Sequence, residues 1–359
     1  NNTLSGNIAF KNGQVGIWLS WSDNNTILKN TVNDNGNSGI YLGHSDYNTI
    51  LGNNAKGNFI GMWIWECHTI DITGNNVNGS YIGIGYEGCE NSTNSGNNVN
   101  GNDYGMWVTE CYNNNFTGNN VNGNDYGIYL DDQCDYNTIT ENVLYNNTLG
   151  IFIDSSSDSN SIYENFFLEN GKHAIDDGTD NTWNSTSIGN YWDNWTSPDV
   201  SPNDGIVDDP YTYIGGSAGS IDYLPIAEDG APVIVINSPD PGDVFGATAP
   251  SFDVNITDVY LVSMWYTLDG GLHNYTFTEN GKIDQSAWSQ LPEGSVTITF
   301  YAKDILGNEA FESVIVTKSI IEPGMIITII VVSIVSGVAL IGVGYIYFKK
   351  RKIAIRKSE

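Results

Sequence analysis

Arginine is absent from the first 350 residues of this 359-residue chain, and the two present, Arg351 and Arg356, sit in its last nine positions. Lysine is scarce too: residues 1–318 carry seven lysines against 40 aspartates and glutamates, a net charge of −33. Such a surface repels phosphate backbones, which argues against nucleic acid as a partner. Without arginine it also lacks the forked cation that grips acidic polysaccharides. Cations and neutral polymers remain as companions, and acidity of this kind also suits a high-salt setting. Four histidines and four methionines leave no cluster of soft metal ligands apart from the four cysteines. An initiating Met and a signal-like run are both missing, so the true N-terminus is expected upstream. Long apolar runs are missing until 325–348, "MIITIIVVSIVSGVALIGVGYIYF", which is 24 residues without a charge. As a helix it would measure about 36 Å, enough to cross a bilayer. The tail "KKRKIAIRKSE" follows with six basic residues. That order predicts a single-pass protein of the cell membrane, with the tail cytoplasmic and residues 1–324 extracellular.

What the chain has in abundance is a repeat. A glycine recurs at Gly16, Gly39, Gly61, Gly83, Gly105, Gly127 and Gly150, always 22 or 23 residues apart. An asparagine keeps the same beat at Asn7, Asn30, Asn53, Asn75, Asn97, Asn119, Asn142 and Asn165. A period in the low twenties with Gly and Asn turns predicts a solenoid. After each glycine comes an alternating triplet such as "IWL", "IYL" or "MWV", the mark of a strand with one buried face. Two further apolar positions flank the asparagine, giving three short strands per turn and a parallel β-helix. The asparagines are expected to bond along a ladder and the glycines to allow close backbone approach.

Stacking turns sequence phase into columns. Cys67, Cys89, Cys111 and Cys134 form one, continued by Ser22, Ser45 and a serine near position 156. Over about 14 Å four sulfurs in a column do not converge on one metal, whereas adjacent rungs lie within reach of a disulfide. The outward residue of each third strand gives an aromatic stripe: Trp18, Tyr41, Trp63, Trp107, Tyr129 and Phe152, with Gly85 between. Exposed aromatics in line suit stacking on sugar rings, and they also stabilise strands by stacking on one another. Beside them run Glu87, Asp131 and Asp154, then Glu66, Glu110 and Asp132. Asp131 and Asp154, expected on neighbouring coils, are the candidate catalytic pair for glycoside hydrolysis; Ca²⁺ binding and plain solvation are the other readings.

The units "NTI…GNN…N…GI.L" and the ending "IGNYWDNWTSPDVSPNDGIVDDPYTYIG…IDYLPI" (188–226) resemble right-handed β-helix proteins of the NosD type. They belong to a wider group of carbohydrate-binding and sugar-hydrolysis repeats common on archaeal surfaces. The resemblance implies right-handed winding and, from the family's name, a periplasmic role in copper delivery to nitrous oxide reductase. Within the ending, Asp199, Asn203, Asp204, Asp208 and Asp209 surround a Gly turn and make a Ca²⁺ loop candidate. From residue 231 the repeat gives way to short alternating strands with Gly, Pro and Asn turns, which resemble an Ig or fibronectin-like β-sandwich.

The sequence therefore predicts an all-β chain with a β-helix over 1–183, its closing segment over 184–226 and a β-sandwich over 231–318. A hinge (319–324), a transmembrane helix (325–348) and a basic tail (349–359) complete it. The function expected is non-catalytic binding of a glycan or other surface polymer by a membrane-anchored protein. Polysaccharide cleavage, copper accessory work and a structural role in a surface layer are the alternatives.

Overall fold

The computed structural model describes residues 1–200, 204–228, 230–258 and 260–320. The span predicted at 325–348 and the basic tail lie outside the described residues. Among the described ones no helix is long and apolar enough to cross a membrane. The chain divides after Glu228 into two units.

The first unit is a parallel β-solenoid of about eight coils, with one short strand from each coil in each of three sheets. Sheet 1 runs from Thr3–Ser5 to Ser161–Tyr163, sheet 2 from Ile8–Phe10 to Tyr191–Trp192, and sheet 3 from Ile17–Ser20 to Lys172–Asp176. Every strand pairs with its copy one coil on, in parallel. Period-two alternation turns Ile27, Ile50, Ile72, Phe116 and Ile139 inward from sheet 1, and Val32, Val77, Val99 and Val121 from sheet 2, all 0% exposed. Each such side chain contributes roughly 1.5–3 kcal/mol of transfer free energy. One coil departs from the pattern. There Asn94 takes the apolar position of sheet 1, and the bulkier Tyr86 enters the lumen from sheet 3.

The phased residues have the expected geometry. A side chain at Gly16, Gly39, Gly61, Gly83 or Gly105 would put its Cβ 2.5–2.7 Å from the carbonyl oxygen of the next coil's glycine. No Cβ fits at that distance, so the column stays glycine. The asparagines form a ladder: Asn119 Nδ2 and its backbone N–H both donate to Asn142 Oδ1, at 2.9 Å each. The same Nδ2 donates backwards to Asn94 O. Two more ladders stand at the other corners. One runs through Asn114, Asn137, Asn160 and Asn181, the other through Asn102, Asn124, Asn147 and Asn170.

All three ladders point their N–H groups toward the C-terminal end, where aligned amide dipoles leave a positive pole. Two of them end on buried carboxylates. The first passes from Asn165 to Asn190, whose N–H donates to Asp222 Oδ2 at 2.7 Å. The second ends where Asn181 Nδ2 donates to Asp176 Oδ1 at 2.9 Å. The indoles of Trp192 and Trp183 each donate to the same carboxylates, at 2.9 Å. The "NYWD…DYLPI" ending is thus the closure of the ladders.

The third ladder ends beside His173, whose Nδ1 lies 3.4 Å from Asn170 Nδ2 and whose Nε2 lies 2.9 Å from Asp193 Oδ1. Burial holds this imidazole below its usual 6.5, against the opposing pull of Asp193. An unfolded chain therefore takes up a proton that the folded one refuses. The group's stabilising share is complete above pH 6.5 and is lost as pH falls toward the folded value. Between about pH 7 and pH 5 the unfolding midpoint should drop further for the natural chain than for His173→Gln. Parallel curves would clear His173 of the effect.

The second unit contains two sheets around one core. Val233–Ser238, Ser251–Thr257 and Gly281–Lys282 make one sheet. The other is built on Leu261–Thr267, Gly294–Asp304 and Glu309–Lys318, with short edge strands. Phe252, Tyr266, Trp288 and Phe300 fill the space between them. A single-turn helix, Gln285–Gln290, is capped by Asp284 at its start. At its far end the buried Lys318 ammonium donates to the carbonyls of Trp288, Ser289 and Leu291, which satisfies orphan acceptors and the negative pole together.

Candidate functional site

The aromatic stripe lies where the repeat placed it, on the outer face of sheet 3. Trp18 pairs in register with Tyr41, Tyr41 with Trp63, Trp63 with Gly85, Gly85 with Trp107, Trp107 with Tyr129, and Tyr129 with Phe152. Trp18 is 61% exposed and the other aromatics are half-buried against one another. A second aromatic row runs alongside: Phe59 stacks on Tyr81 at 5.3 Å, Tyr81 meets Tyr104 edge-on, and Tyr104 stacks on Tyr126 at 5.0 Å. Sequence phase does not expose this row, because it steps by one residue between Tyr81 and Tyr104. Phe59 and Tyr81 stand two positions before the repeat glycine, Tyr104 and Tyr126 one.

Between the two rows, near the N-terminal coils, opens a groove of about 580 Å³. Trp18, Tyr41, Trp63 and Phe59 line it, with the polar side chains of Gln14, Asn37 and Ser38 at its wall. None of its lining residues is charged. On so acidic a molecule that neutrality is informative: the groove has aromatic faces and uncharged hydrogen-bonding groups, the combination that recognises a polyol.

The carboxylates beside the stripe are engaged by local donors. Asp131 shares its column with Thr109 and Glu87, and its Oδ2 accepts the Trp107 indole N–H at 3.2 Å. Asp154 lies just beyond its strand and accepts from the Ser156 N–H and hydroxyl. Burial works to raise the Asp154 pKa, but those Ser156 donors outweigh it and hold the carboxyl below the usual range. A carboxyl so held is an anion, unsuited to donate a proton to a leaving group. Glu87 is raised by burial and by its neighbours Glu110 and Glu66.

The cysteine column is continuous with Ser45 and Ser157. Ser45 N–H donates to Cys67 Sγ, Cys89 N–H to Cys111 Sγ and Cys134 N–H to Ser157 Oγ. The disulfides considered for Cys67, Cys89, Cys111 and Cys134 are not formed. All four are free, buried thiols, engaged by backbone groups instead. Burial pushes Cys67 and Cys134 up to about 12 and Cys111 well above its ordinary value. Protonated, water-excluded thiols are poor nucleophiles and poor ligands.

Outside that column two rows of side chains flank a shallow cavity of about 410 Å³. In it His44 Nδ1 lies 3.0 Å from Glu66 and His68 Nδ1 3.2 Å from Asp46, a checkerboard of imidazoles and carboxylates, with Trp21 stacked on His44. In the calcium loop candidate each described carboxylate is turned to a local donor. Asp199 accepts from Gly205 N–H, Asp204 from Ile206 N–H, Asp208 from Val200 N–H and Asp209 from the Ser197 hydroxyl. Asn203 lies outside the described residues. Among the described residues no three His, Cys, Asp or Glu side chains gather closely enough to hold a metal ion. The donors seen here therefore do not fit the copper that the NosD resemblance implies.

No curated protein matches the chain. Among solved structures, the crystal structure of the Pseudomonas phage phi297 tailspike gp61 aligns at 10% identity and a TM-score of 0.30, over 80% of this chain and 66% of that one. The profile of the family described as "Periplasmic copper-binding protein (NosD)" matches residues 1–66 and 60–197, more than half of the sequence and nearly all of the coils. By its repeat, its fold and this match, the chain belongs to the NosD family.

Proposed function

We propose that the solenoid binds a neutral glycan, or a surface polymer of similar chemistry, along the aromatic face of sheet 3 and does so without cleaving it. The observation that carries this reading is the uncharged groove lined by Trp18, Tyr41, Trp63 and Phe59. The engaged states of Asp131 and Asp154 favour a binder over a hydrolase. The uncharged run at 325–348, with its basic tail, supports a cell-surface protein held by one membrane span. The second unit, with two sheets around one core, is read as an Ig-like module. The test is retention of the full chain on a panel of immobilised neutral and acidic polysaccharides. Trp18→Ala and Tyr41→Ala should each weaken retention roughly tenfold or more, as loss of a stacked anchor does, with little change in thermal unfolding. If no neutral polymer holds the natural protein, the reading is wrong.

A further inference from the structure

Two glycines on the outer face of sheet 3 decide how the groove's rings lie. Gly85 stands in the aromatic column between Trp63 and Trp107. A Cβ added there would fall within the Trp63 indole, against Cε3 and Cζ3. The indole therefore leans off its own strand and rests on the Gly85 backbone, its centroid 5.7 Å from that of Trp107 two coils away. Gly43 does the same for Tyr41: a Cβ there would lie 2.6 Å from the phenol oxygen and 2.9 Å from Cε1. Neither glycine has a positive φ. Backbone conformation thus does not demand glycine at these two positions; room for a reclining ring does. The contrast lies further along the same stripe, where Tyr129 and Phe152 stand upright and stack on each other at 4.8 Å, each covering a face of the other.

We propose that Gly43 and Gly85 are the specificity-determining positions of the groove. By laying Tyr41 and Trp63 down on the sheet they turn one face of each ring to solvent and select pyranose chains that lie flat, with equatorial hydroxyls. This rests on the glycan reading above and narrows it. A pyranose with equatorial hydroxyls carries its axial C–H bonds on both faces, the apolar surface that an aromatic face stacks against. An axial hydroxyl interrupts that surface. Uronic acid polymers are disfavoured twice, by the molecule's net negative charge and by a groove with no cation to meet them. Gln14 and Asn37 at the wall can donate to and accept from the hydroxyls at the rim of a flat ring.

The experiment compares the full chain with its Gly85→Ala, Trp63→Ala and doubly substituted forms. The ligands are three soluble oligosaccharide series: a β-1,4-glucan with equatorial hydroxyls, a galactan with an axial one, and a polyuronate. The natural protein should favour the glucan over the galactan and leave the polyuronate unbound. Gly85→Ala should weaken glucan binding roughly tenfold, yet leave the unfolding midpoint unchanged or raised, because alanine suits a strand better than glycine does. If the glycine acts through Trp63, adding Gly85→Ala to Trp63→Ala should cost nothing more, a coupling that a direct structural role would not produce. Full binding by Gly85→Ala, with loss in Trp63→Ala, overturns the flat-ring inference and leaves the glycan reading standing. Equal affinity for glucan and galactan also overturns it. Failure of the natural protein to bind any of the neutral series defeats the glycan reading itself.

Discussion

Asn119→Ala is expected to lower the unfolding free energy by about 3 kcal/mol. Asn119 is 0% exposed and serves three coils at once. Its Oδ1 accepts from the Asn97 backbone N–H and side-chain amide, at 2.9 and 3.0 Å. Its Nδ2 reaches back to the Asn94 carbonyl and forward to Asn142. Alanine removes all of these and strands the Asn97 N–H inside the wall, where an unpaired group carries its full desolvation cost. The neighbouring Asn120 is the control: it is exposed, and Asn120→Ala should change stability by no more than about 0.5 kcal/mol. Urea unfolding followed by circular dichroism distinguishes them. Equal effects at the two positions would mean that the ladder is a consequence of the fold and not one of its supports.

Asp222→Asn should be nearly as damaging, at about 2–4 kcal/mol, although it adds one more asparagine at the end of the ladder. Its partners explain why. Asp222 Oδ2 accepts from the Asn190 N–H and the Trp192 indole, and Oδ1 accepts from the Leu224 N–H. Burial raises this carboxyl above its ordinary range, and the donors from Asn190, Trp192 and Leu224 pull it back. With donors on both sides, only an acceptor-only group is satisfied. An amide would set its own N–H against one of them, whichever way it turned. A variant as stable as the natural chain would show that the terminal rung is closed by something other than this carboxylate.

The parts of the fold legible in sequence are those in which a single residue type is the physical solution on every coil. Nothing but glycine fits beneath the next coil's carbonyl, and asparagine alone offers donor and acceptor in the right places, so both columns announce themselves. The two further ladders are harder to see because serine or isoleucine takes a rung: Ser92 carries the bond on, Ser80 keeps only its backbone donation to Asn102 while its hydroxyl finds no partner, and Ile70 offers no side-chain acceptor at all. The aromatic stripe was legible as a column, but its orientation was not, since whether a ring stands or reclines depends on what lies beside it. The second row escaped because Tyr81 and Tyr104 differ by one position in phase. Asp222 keeps no phase at all; it arrives from a loop 32 residues after Asn190.

The one-way run of the amide ladders separates two properties that most folds tie together, length and closure. An interior coil meets the same upper and lower surfaces wherever it sits, so a tandem duplication of 22 or 23 residues could slip into the middle of the gene without disturbing either neighbour. The terminal segment with Asp176 and Asp222 would be inherited unaltered, as a lid serves jars of different height. Lineages could then adjust how far the molecule reaches by copying, and reserve point substitution for what its outer wall touches.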